Sequence, residues 1–269
     1  MLKTRVVTAL VLAAVLFLAL FVLPAPAGSI FFAIALLIGA WEWARLAGFT
    51  APAARIAYVL VTAALGAIAY AATRDAANLH GLLAIACAWW GVAAAWLALR
   101  PGSVNTLSAL LAGQLVLVPT GIAIDTLLAG RVLASGVALL LCMMLVVWAA
   151  DIGAYFVGRR FGRLKLAPAV SPNKTWEGVI GGTLFAVAVG VAEARWLGVP
   201  MAPYLGLVLV VVCASIVGDL TESMFKRVAG LKDSGALLPG HGGVLDRIDS
   251  ITAAAPFFAL GLSWFGGVA

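Results

Sequence analysis

Nine apolar stretches of roughly 17 to 25 residues follow one another along this chain, and no other feature limits its fold as severely. They run near residues 6–23, 29–44, 56–73, 81–99, 107–129, 133–157, 178–197, 203–221 and 248–266. Such a stretch, wound as a helix rising about 1.5 Å per residue, crosses a hydrocarbon core of about 30 Å. The backbone must satisfy its own N–H and C=O groups there, which a helix does unaided. Composition agrees: 64% of the 269 residues are hydrophobic, 10% are charged and the mean hydropathy is +1.13, well above a soluble domain. The expectation is an all-α, polytopic integral membrane protein with about nine transmembrane helices.

The first stretch has two readings. Lys3 and Arg5 ahead of an apolar run, with Ala25-Pro26-Ala27 behind it, have the form of a cleavable signal peptide. At about 18 residues the run is long for that role, so a retained helix is expected. A cytoplasmic N-terminus then puts 14 of the 17 Lys and Arg residues on the inner side, leaving Arg74, Arg131 and Arg195 outside. One helix more or fewer breaks that alternation. The expected setting is the cell (inner) membrane, crossed many times, with the polar loops in the cytoplasm. The net charge of +6 is mostly this bias and implies no nucleic-acid partner. Cys87, Cys142 and Cys213 lack metal-ligand spacing and are expected to be small core residues. His80, in an outer loop, has no assigned role.

Charge divides the chain unequally. Residues 1–100 contain Glu42 and Asp75 as their only acids and are expected to be scaffold; residues 101–269 carry the chemistry, with cytoplasmic loops at 158–178 and 222–247. Eight of the eleven acids lie between residues 151 and 249. An ionisable group within or at the end of an apolar helix is costly unless paired or solvated, which makes Asp151, Asp219, Asp246 and Asp249 functional candidates. Helix capping or pairing with Arg is the plainer reading of each alone. Glu42 and Arg45, three apart, are expected to form an interfacial pair, and Gln114 and Asp125 to hydrogen-bond to neighbouring helices. The tryptophans are expected to pack and to anchor at the interfaces.

The stretch KDSGALLPGHGGVLDRIDS, residues 232–250, carries five charged side chains in this apolar setting. Asp219, Asp246 and Asp249 offer hard oxygen ligands suited to Mg²⁺, which favours one or two carboxylates plus substrate phosphates. Lys226, Arg227, Lys232 and Arg247 offer cations to those phosphates. Gly240, Gly242 and Gly243 let the backbone approach a ligand and turn N–H groups toward an anion just before a helix N-terminus. In the preceding loop, Arg159, Arg160, Arg163 and Lys165 mark the inner face and suit anionic lipid. Ser171, Asn173, Lys174 and Thr175 stand where hydroxyls cap a helix and also bind phosphate, whereas Glu177 is expected to pair with Lys174.

From Ser223 to Asp249 the segment SMFKRVAGLKDSGALLPGHGGVLDRID resembles the 27-residue signature of phosphatidate cytidylyltransferases, the CDP-diacylglycerol synthases. The agreement falls on Ser223, Lys226, Arg227, Lys232, Asp233, His241, Gly242, Gly243, Asp246, Arg247 and Asp249. Asp151 with AYFVGRRFG, and then SPNKTWEG, is also similar to that family, while the first hundred residues match only in hydropathy. The resemblance implies transfer of the cytidylyl group of CTP to phosphatidic acid, giving CDP-diacylglycerol and pyrophosphate, by a membrane-embedded homodimer that uses one or two cations, Mg²⁺ first among them. It implies Asp219 and Asp246, assisted by Asp249, as cation ligands and Lys226 with the other cations as partners of the phosphates. His241 is then a phosphate donor or loop-shaping residue rather than a general acid, and Asp233 orients Lys232 or the cytidine. Two alternatives remain: a CTP-dependent lipid or polyprenol kinase, and, in a different class, a secondary transporter.

Overall fold

The computed structural model describes residues 2–23, 26–130 and 136–265, with the side chains of residues 2, 3 and 5 left aside; Arg131 and the expectation attached to it lie outside the described residues. Within them the chain forms α1 (Leu2–Phe17, continued by a π-helical turn Leu18–Val22), α2 (Pro26–Leu46), α3 (Pro52–Ala72), α4 (Ala76–Leu99), α5 (Thr106–Leu128) and α6 (Gly136–Phe161). A hairpin follows, β1 (Lys165–Ala167) and β2 (Ser171–Thr175), then α7 (Trp176–Leu197), α8 (Met201–Val228) and α9 (Leu245–Leu262). Each expected apolar stretch falls on one helix, and seven helices, α2 to α8, are long and apolar enough to cross a membrane. Large apolar side chains such as Leu60, Ile68, Ile85, Leu107, Ile180 and Leu184 stand exposed on the outside of the bundle, as a hydrocarbon solvent requires.

The helix ends follow local chemistry. Asp75 caps α4 by accepting from Asn78 N, Asn105 and Ser108 form a reciprocal capping box on α5, and Thr175 caps α7 by accepting from Gly178 N. Gln114 donates to Thr62 of α3 at 3.0 Å and Ser29 of α2 donates to Asp125 at 2.8 Å, the interhelical bonds expected of both residues. Cys142 is buried, but Cys213 is exposed on the outside of α8 and so is not the core residue expected.

Helix α9 is the hub. Ala253, Ala254, Ala255, Phe258 and Ala259 are wholly buried, and α9 packs on α8, α5, α4, α6 and α2. Pro256 lies inside it. Proline has no N–H, so the carbonyl of Thr252 four residues earlier loses its helical donor. The hydroxyl of Thr120 on α5 reaches it at 2.9 Å, sharing its one proton with Val116 O of its own helix at 2.6 Å. A break in the helix thus becomes a tie between helices. The other close seam joins α6 to α7, where a Cβ at Gly182 would collide with the carbonyl oxygen of Ala150. Small residues let these backbones meet, as they do in membrane helix pairs generally.

The hairpin was not expected. Its antiparallel strands pair Lys165 with Thr175 and Ala167 with Ser171, folding the polar segment between α6 and α7 back over the end of the bundle. The N-terminal part of α1 reaches the same end, since the Thr8 hydroxyl donates to Pro239 O in the loop before α9.

Candidate active site

Four elements bring the polar residues together: the last turns of α6, the hairpin, the second half of α8 and the first turns of α9. Helix α6 runs on to Phe161, so Asp151 sits about 15 Å before its end at about 1.5 Å per residue. Asp151 lines a cavity of about 560 Å³ with Arg159, Asn173, Lys174, Thr175 and Asp219. The rest of its wall is largely apolar, with Ala150, Val179, Gly182, Val212 and Ile216. Asp151 and Tyr155 on its wall are exposed, so the space is not sealed by protein.

Asp219 is the polar pivot. Lys174 of β2 pairs with its Oδ2 at 2.5 Å, and the Ser223 hydroxyl donates to its Oδ1 at 3.3 Å. Glu177, expected to take Lys174, instead accepts from Leu164 N at 3.1 and 3.2 Å and fastens the end of α6 to the start of α7. Asp249 faces α8 at the same level: a Cβ at Gly218 would stand 2.7 Å from the Asp249 carbonyl oxygen. Asp219 follows Gly218 on α8, so Asp219 and Asp249 stand at one level of the α8–α9 seam, and Lys174, paired with Asp219, lines the same cavity as Asp151. The carboxylates expected from separate helices therefore meet at one end of the bundle.

Asp246 is placed differently from its neighbours. Its Oδ1 accepts from Lys226 Nζ at 2.7 Å, and its Oδ2 from Ser234 N at 2.9 Å, Ser234 Oγ at 3.0 Å and Gly243 N at 2.8 Å. Lys226 also pairs with the buried Glu222 at 3.0 Å, four residues back. The Lys226 ammonium is thus committed to two carboxylates inside the protein rather than offered to a ligand. The N–H groups ahead of α9 are also taken. Val244 N and Leu245 N donate at 3.1 and 2.8 Å to the carboxylate of Glu42 on α2, which also accepts from Ser234 Oγ at 2.9 Å. The anion at this helix N-terminus is protein carboxylate, where a substrate phosphate was expected. Glu42 is 3% exposed and turned inward, and Arg45 is exposed, so the interfacial pair is not formed.

The other expected residues frame the site rather than line it. Arg227 donates to Val170 O at 3.2 Å and Leu231 O at 3.4 Å, tying α8 to the hairpin turn. Ser171 is engaged in strand pairing and stays off the cavity wall. Lys232, Asp233 and Arg247 are exposed and stay off the cavity wall. His241 N donates to Leu238 O and Leu238 N to Gly242 O, both at 2.9 Å, closing a tight turn. Gly242 has φ +83° there, and a Cβ would sit 2.6 Å from Asp246 Oδ2. The bonds closing that turn are backbone bonds: the His241 imidazole takes no part in them, and its Nδ1 is buried with no hydrogen-bond partner among the described residues.

Among the described residues, no three His, Cys, Asp or Glu side chains form a ready metal cage. The donor set still suits Mg²⁺, which takes one or two carboxylates and leaves its other positions to phosphate and water. Asp219 and Asp249 are the carboxylates that could serve as such a pair, whereas Asp246 has its oxygens occupied by Lys226, Ser234 and Gly243.

Residues 3–265 match the Cytidylyltransferase family. The chain is 45% identical over 274 residues to the phosphatidate cytidylyltransferase of Pseudomonas aeruginosa, covering 99% of this chain and 98% of that protein. It is 40% identical to the phosphatidate cytidylyltransferase of Haemophilus influenzae, covering 96% and 98%. The enzyme of that name from Bacillus subtilis is 45% identical over 123 residues, 45% of each chain.

Proposed function

The chain belongs to the cytidylyltransferase family, and from that premise we propose that it joins CTP to phosphatidate, releasing pyrophosphate and leaving CDP-diacylglycerol in the membrane. The observation that carries this reading is the cavity whose lining joins Asp151, Asn173, Lys174 and Asp219 to apolar residues such as Val179, Val212 and Ile216. A lipid phosphate and a nucleotide triphosphate share the polar residues, while acyl chains lie against the apolar ones.

The chemistry asks little of a base. A phosphatidate oxygen, already ionised near neutral pH, attacks the α-phosphorus of CTP; the new O–P bond forms as the bond to the β-phosphate oxygen breaks, and pyrophosphate leaves. Positioning and charge neutralisation are the protein's tasks. Lys174 and Arg247 meet the phosphates, with Arg159 and Lys232 adding positive charge, and Asn173 and Thr175 orient them from β2. Asp219 and Asp249 would hold Mg²⁺, which when bound neutralises phosphate charge as a Lewis acid. Glu222, Lys226 and Asp246 keep α8 and the start of α9 in register beneath these groups. The working orientation places this end of the bundle in the cytoplasm of the inner membrane.

The test is to incubate purified protein in mixed micelles with labelled CTP and phosphatidate, with Mg²⁺ or with a chelator. Metal-dependent labelled CDP-lipid with stoichiometric pyrophosphate is expected. Release of CDP with a phosphorylated lipid would mark a kinase, and no lipid product would overturn the assignment.

A further inference from the structure

The carboxylate of Glu42 stands outside the reacting groups, on a helix of the apolar first hundred residues, yet it holds the loop that carries them. It is 3% exposed and accepts three hydrogen bonds from a segment about 200 residues away: Ser234 Oγ at 2.9 Å, Val244 N at 3.1 Å and Leu245 N at 2.8 Å. Val244 and Leu245 open α9, and Asp246, Arg247 and Asp249 follow within its first turns. Ser234 is the shared element: its one hydroxyl proton lies between the two carboxylates, 2.9 Å from Glu42 and 3.0 Å from Asp246 Oδ2, and its N–H donates to the same Asp246 oxygen at 2.9 Å. Two carboxylates from different helices thus grip one loop from opposite sides, and they fix where α9 begins.

The loop's glycines answer to the same carboxylate. A Cβ at Gly235 would collide with Glu42 Oε1, with the Glu42 carboxyl carbon next at 2.8 Å; a Cβ at Gly243 would collide with Glu42 and with Ser234 Oγ. Gly235 does not have the positive φ of Gly240 and Gly242, so its backbone tolerates alanine and the closeness of Glu42 is what excludes one.

We propose that Glu42 is a positioning residue: by holding the 234–245 loop and the N-terminus of α9, it sets the pose of Arg247 and Asp249 opposite Asp219 and Lys174. A buried carboxylate at a helix N-terminus is well suited to this, because it satisfies otherwise unpaired N–H groups and complements the helix dipole. The proposal rests on the cytidylyl transfer assigned above for its kinetic readout and on loop geometry for its second.

Glu42→Gln keeps one acceptor oxygen and turns an NH₂ toward backbone N–H groups. In detergent-purified protein, kcat is expected to fall at least about tenfold, the scale of a small misplacement of reacting groups, with KM for CTP and phosphatidate within about twofold. Hydrogen exchange of the 232–245 amides should quicken about tenfold or more. Gly235→Ala, which displaces Glu42 without removing it, should reproduce both effects, and it decides the matter if Glu42→Gln does not fold. In a Glu42→Ala background, Gly235→Ala should cause little further loss. Wild-type kcat per folded protein in both single variants, unchanged loop exchange, or additive losses in the double variant would overturn the proposal. If the wild-type protein makes no CDP-lipid, the assigned reaction fails, whereas loop exchange still decides whether Glu42 is the clamp.

Discussion

Asp219 and Asp246 are both acids of the α8–α9 region, and their surroundings assign them unlike work. Asp219 is about a quarter exposed, faces the cavity and is held by Lys174 and the Ser223 hydroxyl; Asp246 is buried and enclosed by donors from Lys226, Ser234 and Gly243. Asp219→Asn should therefore lose at least about a hundredfold in turnover, the scale of removing one preorganised electrostatic group, with thermal unfolding in detergent unchanged. Asp246→Asn should lose activity comparably but also unfold earlier, because it weakens a buried ion pair with Lys226. Equal melting of the two variants would show that Asp246 does not anchor the loop. Spacing in the sequence located both acids but could not separate them, because the difference lies in Ser234, Gly243 and Lys226 closing around one of the two. Glu42 escapes a reading by spacing for a related reason. Its i,i+3 neighbour Arg45 is visible in the sequence, whereas its actual partners stand some 200 residues away. The signal the sequence does offer is a lone acid inside an apolar helix.

Among elements, the apolar helices were legible because about 20 apolar residues in a row admit few other readings. The hairpin was not: strands of three and five residues, SPNKT among them, carry no usable alternation, and their pairing is decided by how α6 and α7 are joined. The polar end of α8 was also cut short. The expected span stopped at residue 221, but the helix runs on to Val228 because Glu222 and Lys226 pair one turn apart along it. The seam between α8 and α9 is where element packing bears most directly on catalysis. Gly218 lets the Asp249 carbonyl approach α8, and an added Cβ would stand 2.7 Å from that oxygen and 3.0 Å from Ala253 Cβ. Gly218→Ala should push the start of α9 outward, separate Asp249 from Asp219 and reduce kcat about tenfold. The variant should still insert and elute as folded protein. Unchanged kcat would mean that the two carboxylates need not be held at their observed separation.

For the molecule as a whole, the bundle has to admit a water-soluble triphosphate and a lipid to the same few atoms. The Thr8 hydroxyl joins α1 to the loop before α9, Arg227 ties α8 to the hairpin turn, and the cavity against the hairpin is lined by polar and apolar side chains together. Phosphatidate can then slide in along the hydrocarbon side while CTP arrives from water, so neither substrate crosses the other's medium. Val179 of α7 lies on the apolar wall and makes none of the polar contacts described above. Val179→Trp narrows that wall without touching Asp219 or Lys174. With CTP fixed at saturation and phosphatidate diluted across a micelle surface, KM for phosphatidate should rise about tenfold, equivalent to roughly 1.4 kcal/mol of lost binding. KM for CTP, measured at saturating lipid, should stay within about twofold. A rise in KM for CTP alone would put the nucleotide against this wall, and no change in either would mean that the lipid approaches from another side of the bundle.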